Sequence, residues 1–287
     1  MKIDINTKMI TLLGKPLGQS FAARMQNAGY EAAGLNMLYF YTEVDKDHLG
    51  DVVNGLRYMN FAGFAVTKPN KVRVLRYLDE LDPLCKKMGA SNTVVKTPEG
   101  KLIGYNTDGV GFYTSLVEEG KINVEESTFF CFGAGGAGRA MCSVLAYHGA
   151  KKIYITDFYE PCAESLVMDI NENFAPVAEL VHHGDYAKIA ECNVVMNASG
   201  IGMGSTIGQT PMPVVEHIQP GQFYFDACYN PDKTQFLLNA EEKGCQVLNG
   251  LGMSLYQGAA QIELWTGEKA PVEAMRKELM DILAESK

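Results

Sequence analysis

The sequence predicts an α/β protein of two domains, one of them a doubly wound parallel sheet. Three observations predict it. The chain of 287 residues is 47% hydrophobic and 21% charged, enough to bury more than one core. Short β-branched and aromatic runs alternate with segments of helical spacing along most of its length. A glycine-rich turn, "FCFGAGGAGRA" from Phe130 to Ala140, separates an apolar run from a helical one.

Taken in order, "MITLLGKP" and "NMLYFYTEV" are strand-like, "KDHLGDVVNGLRYM" is helical, and "FAGFAVTKP" is a further strand. Strands separated by crossover helices imply parallel pairing. "TVVKT" and "LIGYN" flank "PEGK", a hairpin turn. A helix fits "DGVGFYTSLVEEG", and the strand "TFFCF" then feeds the glycine cluster. Beyond it the order is the helix "AGRAMCSVLAYHG", the strand "KKIYITD", the helix "PCAESLVMDINENF", and strands near "CNVVMNAS" and "QFYFDAC". That succession is βαβαβ. The tail, "MSLYQGAAQIELWTG" to "PVEAMRKELMDILAESK", is helical with one apolar face, so Trp265 and the methionines near it belong to the core. Pattern changes put the domain boundaries near Asn106 and Gly250.

Composition excludes several function classes. A formal net charge of -9 leaves no basic footprint for nucleic acid or an anionic membrane surface. Charges in "MKIDINTKMITLLGKP" interrupt what a signal peptide needs, and no stretch approaches the ~20 apolar residues of a membrane span, so the expectation is a cytoplasmic protein. The seven cysteines show no CxxC spacing and read as reduced, mostly buried residues. The five histidines form no metal-ligand spacing and no triad with a GxSxG elbow, so no metal is expected.

The glycine cluster carries the first chemistry. Gly133, Gly135 and Gly138 fit G-x-G-x-x-G, completed by Gly136 and Ala137 at the start of a helix. The first glycine permits a tight turn, the second lets a pyrophosphate approach the backbone, and the third lets helix pack on strand. Asp157 ends the next strand, where a carboxylate accepts hydrogen bonds from both adenosine ribose hydroxyls and repels a 2′-phosphate. NAD is therefore expected over NADP, the alternative for Asp157 being a cap on the following helix. A nicotinamide enzyme also needs a separate proton carrier. "GFAVTKPNK" offers Thr67, Lys68 and Lys71, and "GYNTDGVG" offers Asn106, Thr107 and Asp108. A lysine oriented by an aspartate can serve one substrate hydroxyl, although Asp108 can equally cap its own helix.

At these residues the sequence resembles the shikimate/quinate dehydrogenase family over essentially the whole chain. "VTKPNK", "GASNT", "GYNTDGVG", "GAGGAGRA", "NASGIGM" and "GMSLYQGAAQIELWTG" fall in the family's order. The resemblance implies that Lys71 is the catalytic lysine and Asp108 its partner. It implies that Thr67, Asn92 and Gln257 hold substrate hydroxyls, that Ser20 and Tyr229 lie near the substrate's carboxylate, and that Ser199 lines the nicotinamide site, with Gly250 a further cofactor position. It also returns the C-terminal helices to the first domain, giving a discontinuous substrate domain (1–106 and 251–287) and a dinucleotide-binding Rossmann domain (107–250), with the nicotinamide meeting the ring carbon in the cleft between them. The implied activity interconverts shikimate and 3-dehydroshikimate; quinate, or another cyclic polyhydroxy acid, is the alternative, and a catalytically weak nucleotide-binding regulatory protein the rival. The implied partner is a small ring acid, and the protein a monomer or homodimer.

Three positions depart from the family pattern. Ala22, in "SFAA", stands where the carboxylate clamp S-x-S-P has its second serine. Ala65 stands at the asparagine of N-V-T, and "TDFYE" replaces the N-R-T of members that use NADP, leaving no arginine to hold a phosphate. Ala22 opens room for the extra hydroxyl of quinate.

Overall fold

The computed structural model describes residues 3–18 and 20–285. The chain forms two compact units, Met1–Thr107 with Leu255–Lys287, and Asp108–Ser254.

The first unit is built on a six-stranded sheet. β1 (Lys8–Gly14) lies between β2 (Met37–Glu43) and β3 (Phe61–Val66), parallel to both, with the crossovers made by α1 (Ala22–Ala32) and α2 (Leu49–Tyr58). β5 (Thr93–Lys96) and β6 (Leu102–Tyr105) are the two arms of the hairpin, and β5 runs antiparallel to β3. β4 (Glu80–Leu81) pairs with β6 at the far edge, and α3 (Pro83–Met88) follows it. Asp82 caps α3 through the N–H groups of Leu84 and Cys85, and Gly89 ends it in the left-handed region. One face of the sheet buries Leu13, Phe64, Val66 and Val94 against Leu49, Val53 and Leu56 of α2. The other takes Trp265, whose indole N–H donates to the Val94 carbonyl at 3.0 Å and whose ring packs beside Tyr39. Gly63 lies beneath that indole, where a Cβ would meet Nε1 at 2.6 Å. α8 (Leu251–Thr266) carries Trp265, and α9 (Val272–Glu285) packs Met275 against Gly29 of α1.

The second unit is a parallel sheet of six strands in the order β12-β11-β10-β7-β8-β9. The strands are β7 (Thr128–Phe132), β8 (Lys152–Thr156), β9 (Ala178–Leu180), β10 (Val194–Asn197), β11 (Phe223–Asp226) and β12 (Gln246–Asn249). Numbered from β7, the order is 3-2-1-4-5-6 from the opposite edge, that of a dinucleotide-binding sheet whose topological switch lies between β7 and β10. Buried on both faces, its central strands read as unbroken apolar runs such as "TFFCF". α4 (Thr107–Glu118) leads into the unit; α5 (Gly136–Tyr147), α6 (Glu160–Asn173) and α7 (Gln235–Glu242) make crossovers.

All seven cysteines are free and only Cys162 is exposed. Burial raises the thiols of Cys85, Cys192 and Cys228 to about 12, so they stay protonated and behave as small apolar groups.

Candidate functional site

The glycine loop sits at the carboxyl end of β7, and its glycines are there for different reasons. Gly133 has φ +101°, and a Cβ on it would strike the Ser199 N at 2.6 Å. Gly138 lies with its Cα against the Gly133 carbonyl, 1.9 Å from an added Cβ, which sets how closely α5 approaches the strand. Gly135 is unlike both. Its φ of -70° suits any residue, and an added Cβ would meet no protein atom within 4 Å. Space kept open over a backbone that does not itself require glycine is what a ligand lying on the main chain demands. Gly136 and Ala137 form the first turn of α5, whose leading N–H groups have no partner within the helix.

A pocket of about 270 Å³ opens at this point, lined by Phe132, Gly133, Gly135, Thr156, Asp157, Ala198 and Ser199 from the ends of β7, β8 and β10. The Asp157 carboxylate accepts from Ala134 N–H at 2.7 Å and from Tyr159 N–H at 2.8 Å. These bonds fix the carboxylate in the pocket lining. Thr156, whose buried hydroxyl has no hydrogen-bond partner, is among the residues lining the same pocket. An open cradle over Gly135 and an acid directly after the second strand together fit a dinucleotide. Ser199 is held by Asn197, whose Oδ1 accepts from both its N–H and its hydroxyl; Asn197 in turn donates to Asp226 at 3.0 Å. Burial raises the Asp226 carboxyl above the ordinary range, although it accepts from Thr234, Cys228 and Asn197.

Sequence reasoning did not find the outer wall of this pocket, which is Phe158, His183, Ile201 and Pro211. Phe158 is largely exposed and meets the His183 ring edge to face at 5.4 Å. An aromatic directly after the acid that follows β8 was the available signal.

The candidate acid–base residues lie elsewhere. Lys71 follows β3 in a turn where Thr67 N–H donates to Leu13 and Asn70 N–H to Thr67. Asn70, fully buried, donates through Nδ2 to the Val44 carbonyl and leaves its Oδ1 without a partner. The Lys71 carbonyl accepts from Ser91 N–H at 2.9 Å. The next residue, Asn92, has its Oδ1 on the Thr107 N–H at 2.7 Å and its Nδ2 on the Thr107 hydroxyl at 3.0 Å. Thr107 begins α4 and Asp108 follows in its first turn, where a carboxylate suits the helix dipole. A buried chain of Gln26, Gln261, Thr93 and Thr107 hydrogen bonds backs this junction.

The remaining positions are dispersed. Ser20 precedes α1 and accepts from Ala22 N–H at 3.3 Å. Gln257 lies on α8, half-buried. Tyr229 follows β11, half-buried, with its hydroxyl raised by burial. Gly250 is not among the pocket's lining residues; it is pressed against Ala227, whose carbonyl would be 2.1 Å from a Cβ. Among the described residues no group of three or more His, Cys, Asp or Glu is placed to hold a metal ion, and no helix is long and apolar enough to cross a membrane.

Comparison with known proteins gives the same reading. Residues 12–94 match the shikimate dehydrogenase substrate binding domain, and residues 250–280 the shikimate 5′-dehydrogenase C-terminal domain. A shikimate dehydrogenase (NADP(+)) of Desulforamulus reducens is 39% identical over 281 residues, 97% of this chain and 96% of the relative. The structure of shikimate 5-dehydrogenase from Listeria monocytogenes in complex with shikimate and NAD superposes with a TM-score of 0.92 at 36% identity, covering 97% of this chain and 98% of that one. Quinate dehydrogenase from Corynebacterium glutamicum in complex with NAD gives 0.89 at 27%, covering 96% and 99%. With a dinucleotide cradle in one unit, a lysine turn in the other, and relatives matched nearly end to end, the chain belongs to the shikimate/quinate dehydrogenase family of NAD(P)-dependent alcohol oxidoreductases.

Proposed function

We propose that the protein interconverts shikimate and 3-dehydroshikimate and prefers NAD to NADP. One observation supports the catalytic half most directly. Ser91 and Asn92, adjacent in sequence, hold the main chain of Lys71 on one side and the start of α4 at Thr107 on the other. In the reduction direction Lys71 donates the proton to the carbonyl oxygen and Asp108 keeps the ammonium oriented. The bound dinucleotide supplies the hydride. Thr67, Asn92 and Gln257 take the ring hydroxyls, and Ser20 and Tyr229 the carboxylate.

The NAD preference rests on Asp157, a fixed anion in the pocket wall with Phe158 rather than an arginine after it. A 2′-phosphate there would meet a like charge. Ala22 favours quinate as a second reading. Loss of one hydroxyl donor to a charged acceptor forfeits about 1.5–3 kcal/mol, one to two orders of magnitude in affinity.

Two experiments test these statements. Lys71→Ala is expected to abolish turnover while leaving NADH binding, followed by fluorescence titration, unchanged; an active variant removes Lys71 from the reaction. Shikimate and quinate assayed against both cofactors are expected to give the highest kcat/KM with NAD and shikimate. Cofactor binding without turnover on any ring acid would point instead to a regulatory protein.

A further inference from the structure

The turn before α1 carries a feature that the catalytic reading does not use. Phe21, the N-cap residue of α1, makes no side-chain cap bond, so the helix's leading N–H groups depend on other acceptors. Two hydroxyls serve them. Ser20 Oγ accepts from Ala22 N–H at 3.3 Å, and Tyr41 Oη accepts from Ala23 N–H at 3.0 Å. Tyr41 Oη also donates to the Ser20 carbonyl at 2.5 Å. Tyr41 thus spans Phe21 and Ala22, holding the peptide group before the pair and the one after it.

The anchor comes from the sheet. Tyr41 stands two residues after Tyr39 on the edge strand β2, so both rings share the face on which α1 packs. Tyr39 is buried; Tyr41 is 39% exposed, its hydroxyl reaching the turn. The two bonds of Tyr41 use its proton and one lone pair, so it acts as a brace. Ser20 is in the opposite condition. Its oxygen accepts from Ala22 N–H, and its own O–H proton remains to be donated.

We propose that Tyr41 is a positioning residue for substrate: it fixes the Ser20 turn so that the single hydroxyl left beside Ala22 is presented to the substrate's carboxylate. The inference rests on the reading of Ser20 as part of the carboxylate clamp. A pair of serines tolerates some play in each donor; where Ala22 replaces one of them, more depends on where the other is held. Phe at position 41 would leave the Ser20 carbonyl and the Ala23 N–H to water and free the turn. It would not undock α1, which stays tied to β2 by Asn27, whose amide exchanges two 2.8 Å bonds with the Tyr39 main chain.

Steady-state kinetics on the full-length enzyme test this with Tyr41→Phe, Ser20→Ala and the double variant, the melting temperature being recorded for each. Tyr41→Phe is expected to raise KM for shikimate roughly three- to tenfold, the size of one lost hydrogen bond, with kcat and the KM for NAD unchanged. The double variant is expected to be no worse than Ser20→Ala alone, because Tyr41 acts through Ser20. An unchanged KM in Tyr41→Phe beside a raised KM in Ser20→Ala overturns the proposal and leaves the clamp standing. Additive effects in the double variant overturn it as well, showing that Tyr41 acts independently. A wild-type KM in Ser20→Ala overturns the clamp reading itself, and the positioning role with it.

Discussion

Single residues show how differently one motif can be built. Gly135→Val adds atoms only where the structure is open, so it is expected to leave stability within ~0.5 kcal/mol and to weaken NADH binding at least roughly tenfold. Gly138→Ala does the reverse: its methyl would press on the Gly133 carbonyl and cost about 1–3 kcal/mol of stability. Thermal melting with a cofactor titration separates the two. His148 gives a pH dependence. It ends α5 stacked on Tyr113 at 3.7 Å between ring centroids, and burial lowers its pKa below the ordinary 6.5, outweighing the opposite pull of Glu125. The folded protein therefore binds this proton less readily than the unfolded chain. Stability is complete above pH 6.5 and declines as the pH falls below it; His148→Phe, which keeps the stack, should flatten the decline measured by melting between pH 7.5 and 5.5, values bracketing the ordinary imidazole range. The motif glycines and Asp157 were legible because the turn, the strand and the acid lie close along the chain. Phe158 and Asn70 were not, since only the fold shows that one lines the pocket and the other reaches Val44.

At the scale of elements, the strands and helices with strong periodicity were legible and the short edge strands were not. β4, β9 and β12 have two, three and four residues, mix charged or amide side chains with apolar ones, and exist because a neighbouring strand offers its edge. The end of α4 shows a related effect. Its glycine, Gly120, is placed for contact, since a Cβ there would meet the Leu116 carbonyl at 2.6 Å and the Phe223 ring at 2.8 Å. The left-handed conformation then falls on Lys121, with φ 55°. A non-glycine residue is strained in that region, so Lys121→Gly is expected to stabilise the protein by about 0.5–1 kcal/mol and raise its melting midpoint by roughly 1–3 °C. A lowered midpoint would show that the lysine side chain contributes more than its backbone loses.

For the whole molecule, the sequence made the two-part organisation readable through the interruption of one pattern by another. It could not show which distant side chains meet, because Trp265 on Val94 or Gln261 on Thr93 are contacts of folding rather than of spacing. The unit made from both chain ends depends on its late helices: Met275 fills the space above Gly29, and Arg24 pairs with Glu278 and Glu285. Deleting Val272–Glu285 is expected to eliminate turnover and shikimate affinity while NADH still binds to the Asp108–Ser254 unit, a split that paired ligand titrations would read directly. Synthesis meets the same dependence in time. A nascent chain released from the ribosome only as far as Ser254 holds every strand of the nucleotide-binding sheet, yet the earlier sheet still waits for the tryptophan that covers it. Exposure of that earlier sheet to chaperones and to aggregation therefore lasts until the segment after Ser254 has emerged.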